Sequence, residues 1–151
     1  MKYTIVILMV LALVSCNSND NETTDFRDAN DTEITDYIAA NNLNAQKSNS
    51  GLYYVVDTAG TGVQPTFTDN VTVAYKGYFT NGDVFDESSD TGISFSLQQV
   101  IAGWTEGITY FKEGGSGILL VPSHLAYGNA GRGSIPGGAV LIFDINLISV
   151  N

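Results

Sequence analysis

The sequence predicts an α+β domain in which about five β-strands surround one short helix. Two observations support this fold class. Several short segments in the C-terminal two thirds of the chain alternate apolar with polar residues, which is the period of a strand with one buried face. One segment among them, residues 100–111, instead repeats its apolar residues at steps of three and four, as a helix does. A lone helix with an apolar face is expected to bury that face against the concave side of the sheet.

Residues 1–15 are typical of a signal peptide. One cation, Lys2, precedes an apolar run that is too short to span a bilayer. The only cysteine, Cys16, follows a small residue and has Leu13 three positions before it, which resembles the lipobox of bacterial lipoproteins. We therefore expect lipidation at Cys16, which anchors the protein to the membrane of the cell envelope, on the periplasmic or the surface face of the outer membrane. The alternative is an ordinary secreted protein with an unpaired thiol.

Residues 16–31 are predicted to form a flexible acidic tether. Seven of the 16 acidic residues fall within residues 17–36, where apolar side chains are few. Such a segment buries too little apolar surface to fold by itself. An acidic stretch after a lipidated cysteine resembles a surface-export signal of Bacteroidetes-type lipoproteins, with a plain spacer as the alternative. The net charge of −10 argues against a nucleic-acid partner.

Residues 32–50 are predicted to form a short helix followed by a linker. Ile34 and Tyr37 lie on one face at helical spacing, and either Asp31 or Thr32 would serve as the N-cap residue. We expect this helix either to dock on the domain or to extend the tether, with no chemistry of its own.

The folded domain is predicted to occupy residues 51–151. Asn81-Gly82 is a strong hairpin signal and predicts a type I′ turn, in which both central residues need a positive φ. A glycine-rich loop at residues 123–138 separates the last two strands. The strand patterns lie at residues 52–56, 71–75, 84–86, 95–97, 118–121 and 141–148.

The predicted helix is amphipathic but intrinsically weak. Gly103 and Gly107 each destabilise a helix by about 1 kcal/mol relative to Ala, so packing has to hold it in place. Trp104 is large and flat, and at the start of such a helix it can line a cavity as well as fill the core. The residues on the apolar face are Ile101, Trp104, Ile108 and Phe111.

Five blocks of residues in this domain occur in a characteristic order and spacing. They are Val73-Ala74-Tyr75-Lys76-Gly77, Val84-Phe85-Asp86-Glu87-Ser88, Val100-Ile101-Ala102-Gly103-Trp104-Thr105-Glu106-Gly107, Leu125-Ala126-Tyr127-Gly128 and Leu141-Ile142-Phe143-Asp144-Ile145. The blocks resemble the FKBP-type peptidyl-prolyl cis-trans isomerases, here as a bacterial, Bacteroidetes-like lipoprotein member. The resemblance implies a strongly bent antiparallel sheet wrapped over a short helix, which agrees with the pattern above.

The resemblance also implies a pocket for proline. Its catalytic lining would consist of Tyr75, Phe85, Asp86, Trp104, Tyr127 and Phe143. Four further residues would contact the substrate, namely Ile93, Val100, Ile101 and Ile135. Judged by composition alone, the same aromatic residues would equally well fill the core of a small β domain. The register of the five blocks favours the pocket.

Roles follow from the resemblance for the centre of this pocket. Trp104 would form its floor, with Phe85 and Phe143 as walls. Asp86 would lie at the edge and accept a hydrogen bond from Tyr75.

The resemblance assigns further roles at the rim. Tyr127 would donate its hydroxyl to one substrate carbonyl, and the backbone N–H of Ile101 would bind another. Ile135 would lie on a flap over the site. Ile93 stands where many members have an aromatic residue, and the segment at 97–100 is shorter than in some members. Both differences lie where macrolide inhibitors such as rapamycin and tacrolimus would contact the site.

The implied activity is peptidyl-prolyl cis-trans isomerisation of proline-containing polypeptides, in aid of the folding of exported proteins. Rotation about an Xaa-Pro bond is opposed by a barrier of about 18–20 kcal/mol. The twisted amide has less charge separation than the planar one, so an apolar pocket disfavours it less than bulk water does. This chemistry needs no cofactor and no metal, and the sole histidine, His124, has no companion that would make a metal site.

Alternatives to this function stay open. The pocket could hold proline-containing segments without useful turnover, or the chain could be a purely structural lipoprotein. Residues 128–134 leave no room in the flap for the additional domain that some relatives insert, and we expect no long N-terminal dimerisation domain. The simplest expectation is therefore a monomer.

Overall fold

The computed structural model describes residues 25–151, which contain two α-helices and seven β-strands. The predicted α+β class is confirmed, with more strands than the five or so expected. The helices are α1 (Arg27–Ala40) and α2 (Ala102–Gly107), and the strands are β1 (Gln46–Lys47), β2 (Tyr53–Thr58), β3 (Asn70–Tyr78), β4 (Val84–Glu87), β5 (Ile93–Ser96), β6 (Ser116–Val121) and β7 (Leu141–Val150). Short 3₁₀ turns at Ile108–Tyr110 and Ser123–Leu125 complete these elements.

The strands form one antiparallel sheet in the order β1-β2-β6-β7-β3-β4. The long strand β3 organises it, since β7 pairs with β3 along one side from Val71 to Tyr78. On the other side β5 pairs with the first half of β3, and β4 pairs with the second half, where Gly77 lies opposite Asp86. Residues of β3, β4 and β5 are therefore brought to one end of the sheet.

Both faces of the sheet are covered. Along β6, Leu119 belongs to the core beneath α2, whereas the next residue, Leu120, packs into a second cluster with Ile34 of α1. The alternation of side chains along a strand separates the two clusters. In β7, Ile142 likewise packs toward α1, so this strand is apolar on both faces at its start.

The helix α2 and the 3₁₀ turn after it account for the amphipathic segment predicted at 100–111. Trp104, Ile108 and Phe111 are buried, with Trp104 only 6% exposed. The glycines allow the helix to approach the sheet closely: a β-carbon on Gly107 would lie 2.7 Å from both methyl groups of Leu119. Tight packing against β6 thus replaces intrinsic helix propensity, as the sequence predicted.

The helix α1 begins at Arg27, five residues before the predicted start, so residues 27–31 of the expected tether are helical. Its N-cap residue, Phe26, has no capping side chain, Oδ1 of Asp25 accepts from the N–H of Arg27 at 3.0 Å, and tertiary contacts hold the helix further. Asp31 forms an ion pair with Lys47 and accepts a hydrogen bond of 2.8 Å from the hydroxyl of Tyr53. These two partners hold the pKa of the Asp31 carboxyl below its usual value. Of the two alternatives for this helix, docking on the domain is therefore what the structure adopts.

The hairpin between β3 and β4 lies where Asn81-Gly82 predicted it, but the turn type was wrong. Only Gly82 has a positive φ, 92°, whereas a type I′ turn would need one at both residues. The N–H of Gly82 donates to the carbonyl of Phe79 at 2.9 Å, and the N–H of Phe79 donates to the carbonyl of Asp83 at 3.0 Å. A register shift after Gly77 accommodates this longer loop.

The predicted signal peptide and Cys16 lie outside the described residues. Among residues 25–151, no helix has the length and apolar character needed to cross a membrane.

Candidate functional site

One cavity of about 480 Å³ opens at the end of the sheet where β3, β4 and β5 meet the start of α2. All ten residues that the sequence predicted for the pocket line it: Tyr75, Phe85, Asp86, Ile93, Val100, Ile101, Trp104, Tyr127, Ile135 and Phe143. Four lining residues were missed by the sequence analysis, namely Phe95, Gln99, Ala126 and Arg132.

Trp104 lies at the centre of the aromatic lining. Its ring packs edge-on against Tyr75, with centroids 4.9 Å apart, and against Phe143 at 5.1 Å. Phe95 lies 5.3 Å away in a tilted orientation. Edge-to-face contacts at these separations fix the ring orientations. Trp104 and Phe143 are 6% and 5% exposed, so their rings lie deep in the cavity and present a rigid apolar surface.

Phe85 reaches the same cluster from β4. Its ring lies edge-on to Phe143, with the centroids 5.6 Å apart, and tilted against Phe79 at 5.0 Å. The glycine at position 77 makes room for it, because a β-carbon there would lie 2.7 Å from two ring carbons of Phe85. The side wall of the cavity therefore depends on a residue without a side chain.

A short hydrogen bond marks the polar edge of the cavity. The hydroxyl of Tyr75 donates to Oδ2 of Asp86 at 2.6 Å, across the pairing of β3 with β4. Burial, reinforced by the bond to Asp86, raises the pKa of Tyr75 well above its usual value. Tyr75 therefore keeps its proton throughout the physiological pH range, and its ring is held in place against Trp104.

The start of α2 forms another side of the cavity. Ile101 is the N-cap residue, with an extended backbone at φ −60° and ψ 149°. Its carbonyl accepts the first bonds of the helix, from Trp104 at 2.9 Å and from Thr105 at 3.1 Å. Its N–H precedes the first turn and takes no part in the helical bonds, so it can serve as a donor to a bound molecule. Val100, one residue earlier, adds an apolar side chain to this rim.

The remaining side is a flap, which we define as residues 128–138. At its tip Arg132 and Ile135 exchange backbone hydrogen bonds of 2.8 and 2.9 Å. The guanidinium of Arg132 lies 5.6 Å from the ring centroid of Tyr127, within the range of a cation–π contact. Arg132 thus brings the one cationic side chain among the residues that line the cavity.

Some of the lining residues that the sequence analysis missed could have been found from sequence patterns, and others could not. Phe95 lies two residues after Ile93 on β5, and residues two apart on a strand share one face, so the strand period alone would have found it. Gln99 immediately precedes Val100 and could have been included with it. Arg132 is in a glycine-rich loop, where no periodicity predicts the direction of a side chain.

The lining favours a flat apolar group at the bottom and a polar chain at the rim. Aromatic rings surround the deep part, where Nε1 of Trp104 is buried, and the hydrogen-bonded pair Tyr75–Asp86 lies at the edge. Such a site suits a small apolar ring within a peptide. A family model described as FKBP-type peptidyl-prolyl cis-trans isomerase matches residues 62–148, which include all ten predicted lining residues.

The chain belongs to the FKBP-type peptidyl-prolyl cis-trans isomerase family. This confirms the family that the five sequence blocks indicated. The matched region begins after β2, so α1, β1 and β2 precede the part of this chain that the family model matches.

FkpA proteins of two bacteria are similar to more than two thirds of this chain. FkpA of Aeromonas hydrophila, an FKBP-type peptidyl-prolyl cis-trans isomerase, is 47% identical over 107 residues, which cover 70% of this chain and 40% of that protein. The crystal structure of FkpA from Escherichia coli matches with a TM-score of 0.75 and 39% identity, covering 83% of this chain and 59% of that one. This chain therefore spans less than half the length of the Aeromonas relative.

A shorter relative matches almost end to end. The crystal structure of a peptidyl-prolyl cis-trans isomerase from Pseudomonas syringae pv. tomato has a TM-score of 0.72 and 31% identity. The match covers 85% of this chain and 97% of that chain. The FKBP fold predicted from the sequence is thus confirmed.

Proposed function

We propose that this protein is an active peptidyl-prolyl cis-trans isomerase whose substrates are proline-containing polypeptides. The observation that supports this most strongly is the aromatic cavity centred on Trp104, with its ring packed edge-on against Tyr75 and Phe143. A deep apolar surface bordered by hydrogen-bonding groups matches a proline ring joined to two peptide groups.

In this proposal the proline ring of the substrate rests on Trp104, between Phe85 and Phe143. The deep lining excludes water, so the planar amide loses the solvation that favours its charge-separated form, and the twisted amide is relatively stabilised. The Tyr75–Asp86 hydrogen bond holds one edge of this lining in place. The barrier to be lowered is about 18–20 kcal/mol, and no covalent intermediate is required.

Donors at the rim act on the substrate backbone. The hydroxyl of Tyr127 and the N–H of Ile101 donate to carbonyl groups on either side of the proline. Three apolar side chains, Val100, Ile93 and Ile135, contact the residues that flank it. Ile93 is 47% exposed, so this contact is open to solvent and tolerates different side chains before the proline.

The same proposal places the protein in the cell envelope. Cys16 is lipidated after removal of residues 1–15, and residues 17–24 link the lipid to the folded part. The isomerase acts there as a monomer on exported proteins.

The test is cis-trans exchange of a Leu-Pro peptide, measured by NMR exchange spectroscopy with the full chain in detergent. We expect the protein to accelerate exchange. Tyr127→Phe should reduce the acceleration by roughly three- to tenfold, the range that one hydrogen bond supplies. Phe85→Ala should reduce it as well, by removing a wall of the cavity.

A matched control separates the pocket from general effects. Tyr54→Phe removes a hydroxyl that bonds to Gln46 at 3.1 Å, away from the cavity, and should leave exchange unchanged. Peptide binding without accelerated exchange would contradict catalysis and favour a binding module. Neither binding nor acceleration would mean that the chain shares only the fold of the family.

A further inference from the structure

A single buried amide joins α1 to the loop that carries the flap. Asn30 is only 1% exposed and lies on α1. Its Nδ2 donates to the carbonyl of Gly138 at 2.8 Å, and its Oδ1 accepts from the N–H of Ser123 at 2.8 Å. The side chain of Asn30 therefore binds two backbone groups, at Ser123 and Gly138, that are 15 residues apart along the chain.

Those two backbone groups are the two ends of the loop around the site. The N–H of Gly128 donates to the carbonyl of Ser123 at 2.8 Å, and the N–H of Gly138 donates to the carbonyl of Gly128 at 2.9 Å. These bonds close the base of the flap. Tyr127 and Ile135, which line the cavity, lie between the two points that Asn30 holds.

A second contact supports the same end of the flap. A methyl group on Gly138 would collide with the ring of Phe26, which precedes α1. Gly138 has a φ of 77°, a conformation that glycine adopts readily. The residue is therefore enclosed between Phe26 and Asn30.

The helix can transmit this restraint because it is fixed to the sheet. Ile34, one turn after Asn30, is fully buried against Leu120 and Ile142 of the two central strands. Buried polar groups that lose their partners destabilise the arrangement that buries them, so loss of the amide would favour opening of the loop base.

We propose that Asn30 is a positioning residue for the flap, which keeps Tyr127 and Ile135 over the cavity although Asn30 itself does not line it. This inference rests on the proposed isomerase function for its effect on substrates. It assigns to α1, outside the region that the family model matches, a part in the geometry of the site.

The experiment compares Asn30→Ala, Asn30→Asp and Ile34→Val in the full chain. Asn30→Ala removes both hydrogen bonds, while Asn30→Asp keeps the acceptor for Ser123 and loses the donor to Gly138. Ile34→Val trims the packing of the same helix and leaves the amide intact, so it is the matched control for lost stability. Each variant is checked for folding by urea denaturation.

Two readouts are measured. Amide hydrogen exchange needs no substrate, and it reports protection of the Ser123 N–H, which donates to Asn30, and of the Gly138 N–H, which donates to Gly128 at the base of the flap. We expect Asn30→Ala to lose about tenfold in protection at both positions, Asn30→Asp to lose it at Gly138 alone, and Ile34→Val to retain both. For the Leu-Pro peptide, Asn30→Ala should raise KM about tenfold with kcat changed less, because contacts from the flap serve ground and transition states alike.

The outcomes separate the inference from the proposed function. If Asn30→Ala retains protection and KM, or if Ile34→Val changes both as much, Asn30 is an ordinary core residue and the inference is overturned. If the unaltered protein does not accelerate exchange, the proposed function fails, while the protection pattern still decides whether Asn30 holds the flap.

Discussion

At the scale of single residues, Gly77 lies behind the cavity wall and has no room for a side chain. A β-carbon here would lie 2.7 Å from the Phe85 ring and 3.0 Å from the Phe143 ring. Distances under 3.0 Å require the neighbour to move, and an aromatic ring cannot fold away as a flexible chain end can. The absence of a side chain at 77 is thus part of the shape of the pocket.

Gly77→Ala should therefore weaken peptide binding. The new methyl group forces Phe85 to tilt, at an overpacking cost of about 1–3 kcal/mol, which exceeds the roughly 0.5–1 kcal/mol that a strand gains when Gly is replaced. We expect lower stability to urea and a higher Kd for a Leu-Pro peptide in an NMR titration. Lys76→Ala, at the neighbouring exposed position, should change neither quantity. An unaltered Kd in a folded Gly77→Ala variant would show that the wall does not depend on this glycine.

The residues of the site were predictable where they belong to ordered blocks of sequence. Phe85 and Asp86 were placed in the pocket by the resemblance of their block to the FKBP family, because the strand period alone sends two consecutive side chains to opposite faces. Arg132 could not be predicted, because its direction depends on backbone bonds to Ile135 within a loop. Asn30 was equally hidden, since its partners are 93 and 108 residues away along the chain.

At the scale of elements, α2 depends on glycine for its close approach to β6. A β-carbon on Gly103 would overlap Cγ1 of Val121 on β6. Replacing glycine by alanine stabilises an isolated helix by about 1 kcal/mol, but overpacking costs about 1–3 kcal/mol, and valine is stiff about χ1. The overpacking cost exceeds the gain in helix propensity, so glycine at position 103 is more favourable than alanine although it is a poor helix former.

Gly103→Ala should for this reason lower the stability of the domain, and Val121→Ala should partly reverse the loss. Each single variant is destabilising, the first by overpacking and the second by leaving a void. In the double variant the methyl group at 103 occupies the space vacated at 121. Urea denaturation should give a double variant more stable than the sum of the single effects by about 1 kcal/mol or more, within the range found for contacting residues. Additive effects would mean that the two positions do not share this space.

The limits of prediction at this scale have physical causes. The start of α1 at Arg27 could not be predicted because its N-cap residue is Phe26, which has no capping side chain, and buried contacts of Asn30 and Ile34 stabilise the helix. The hairpin was predictable from Asn81-Gly82, but the same pair fits a turn with a single left-handed residue, and the sheet register selects between the two turns.

At the scale of the whole molecule, α1 makes the sheet two-sided. The cluster beneath it contains Ile34, Leu120, Val140 and Ile142, each at most 2% exposed. Without α1, the last three would face solvent on the side opposite the cavity. A segment that precedes the domain predicted at residues 51–151 therefore covers the second apolar face of its sheet.

Removal of residues 1–40 should consequently destabilise the protein much more than removal of residues 1–24. The longer deletion loses the burial of Ile34 as well as the hydrogen bonds of Asn30, and the loss of one buried isoleucine side chain alone is worth about 2–5 kcal/mol. Urea denaturation should show a lower midpoint for the longer deletion, and a dye that binds apolar surface should fluoresce with it and not with the shorter one. The full chain serves as the reference, which the shorter deletion should match. Equal midpoints for both deletions would mean that α1 rests on a domain already stable without it, and the restraint on the flap would then have no rigid support.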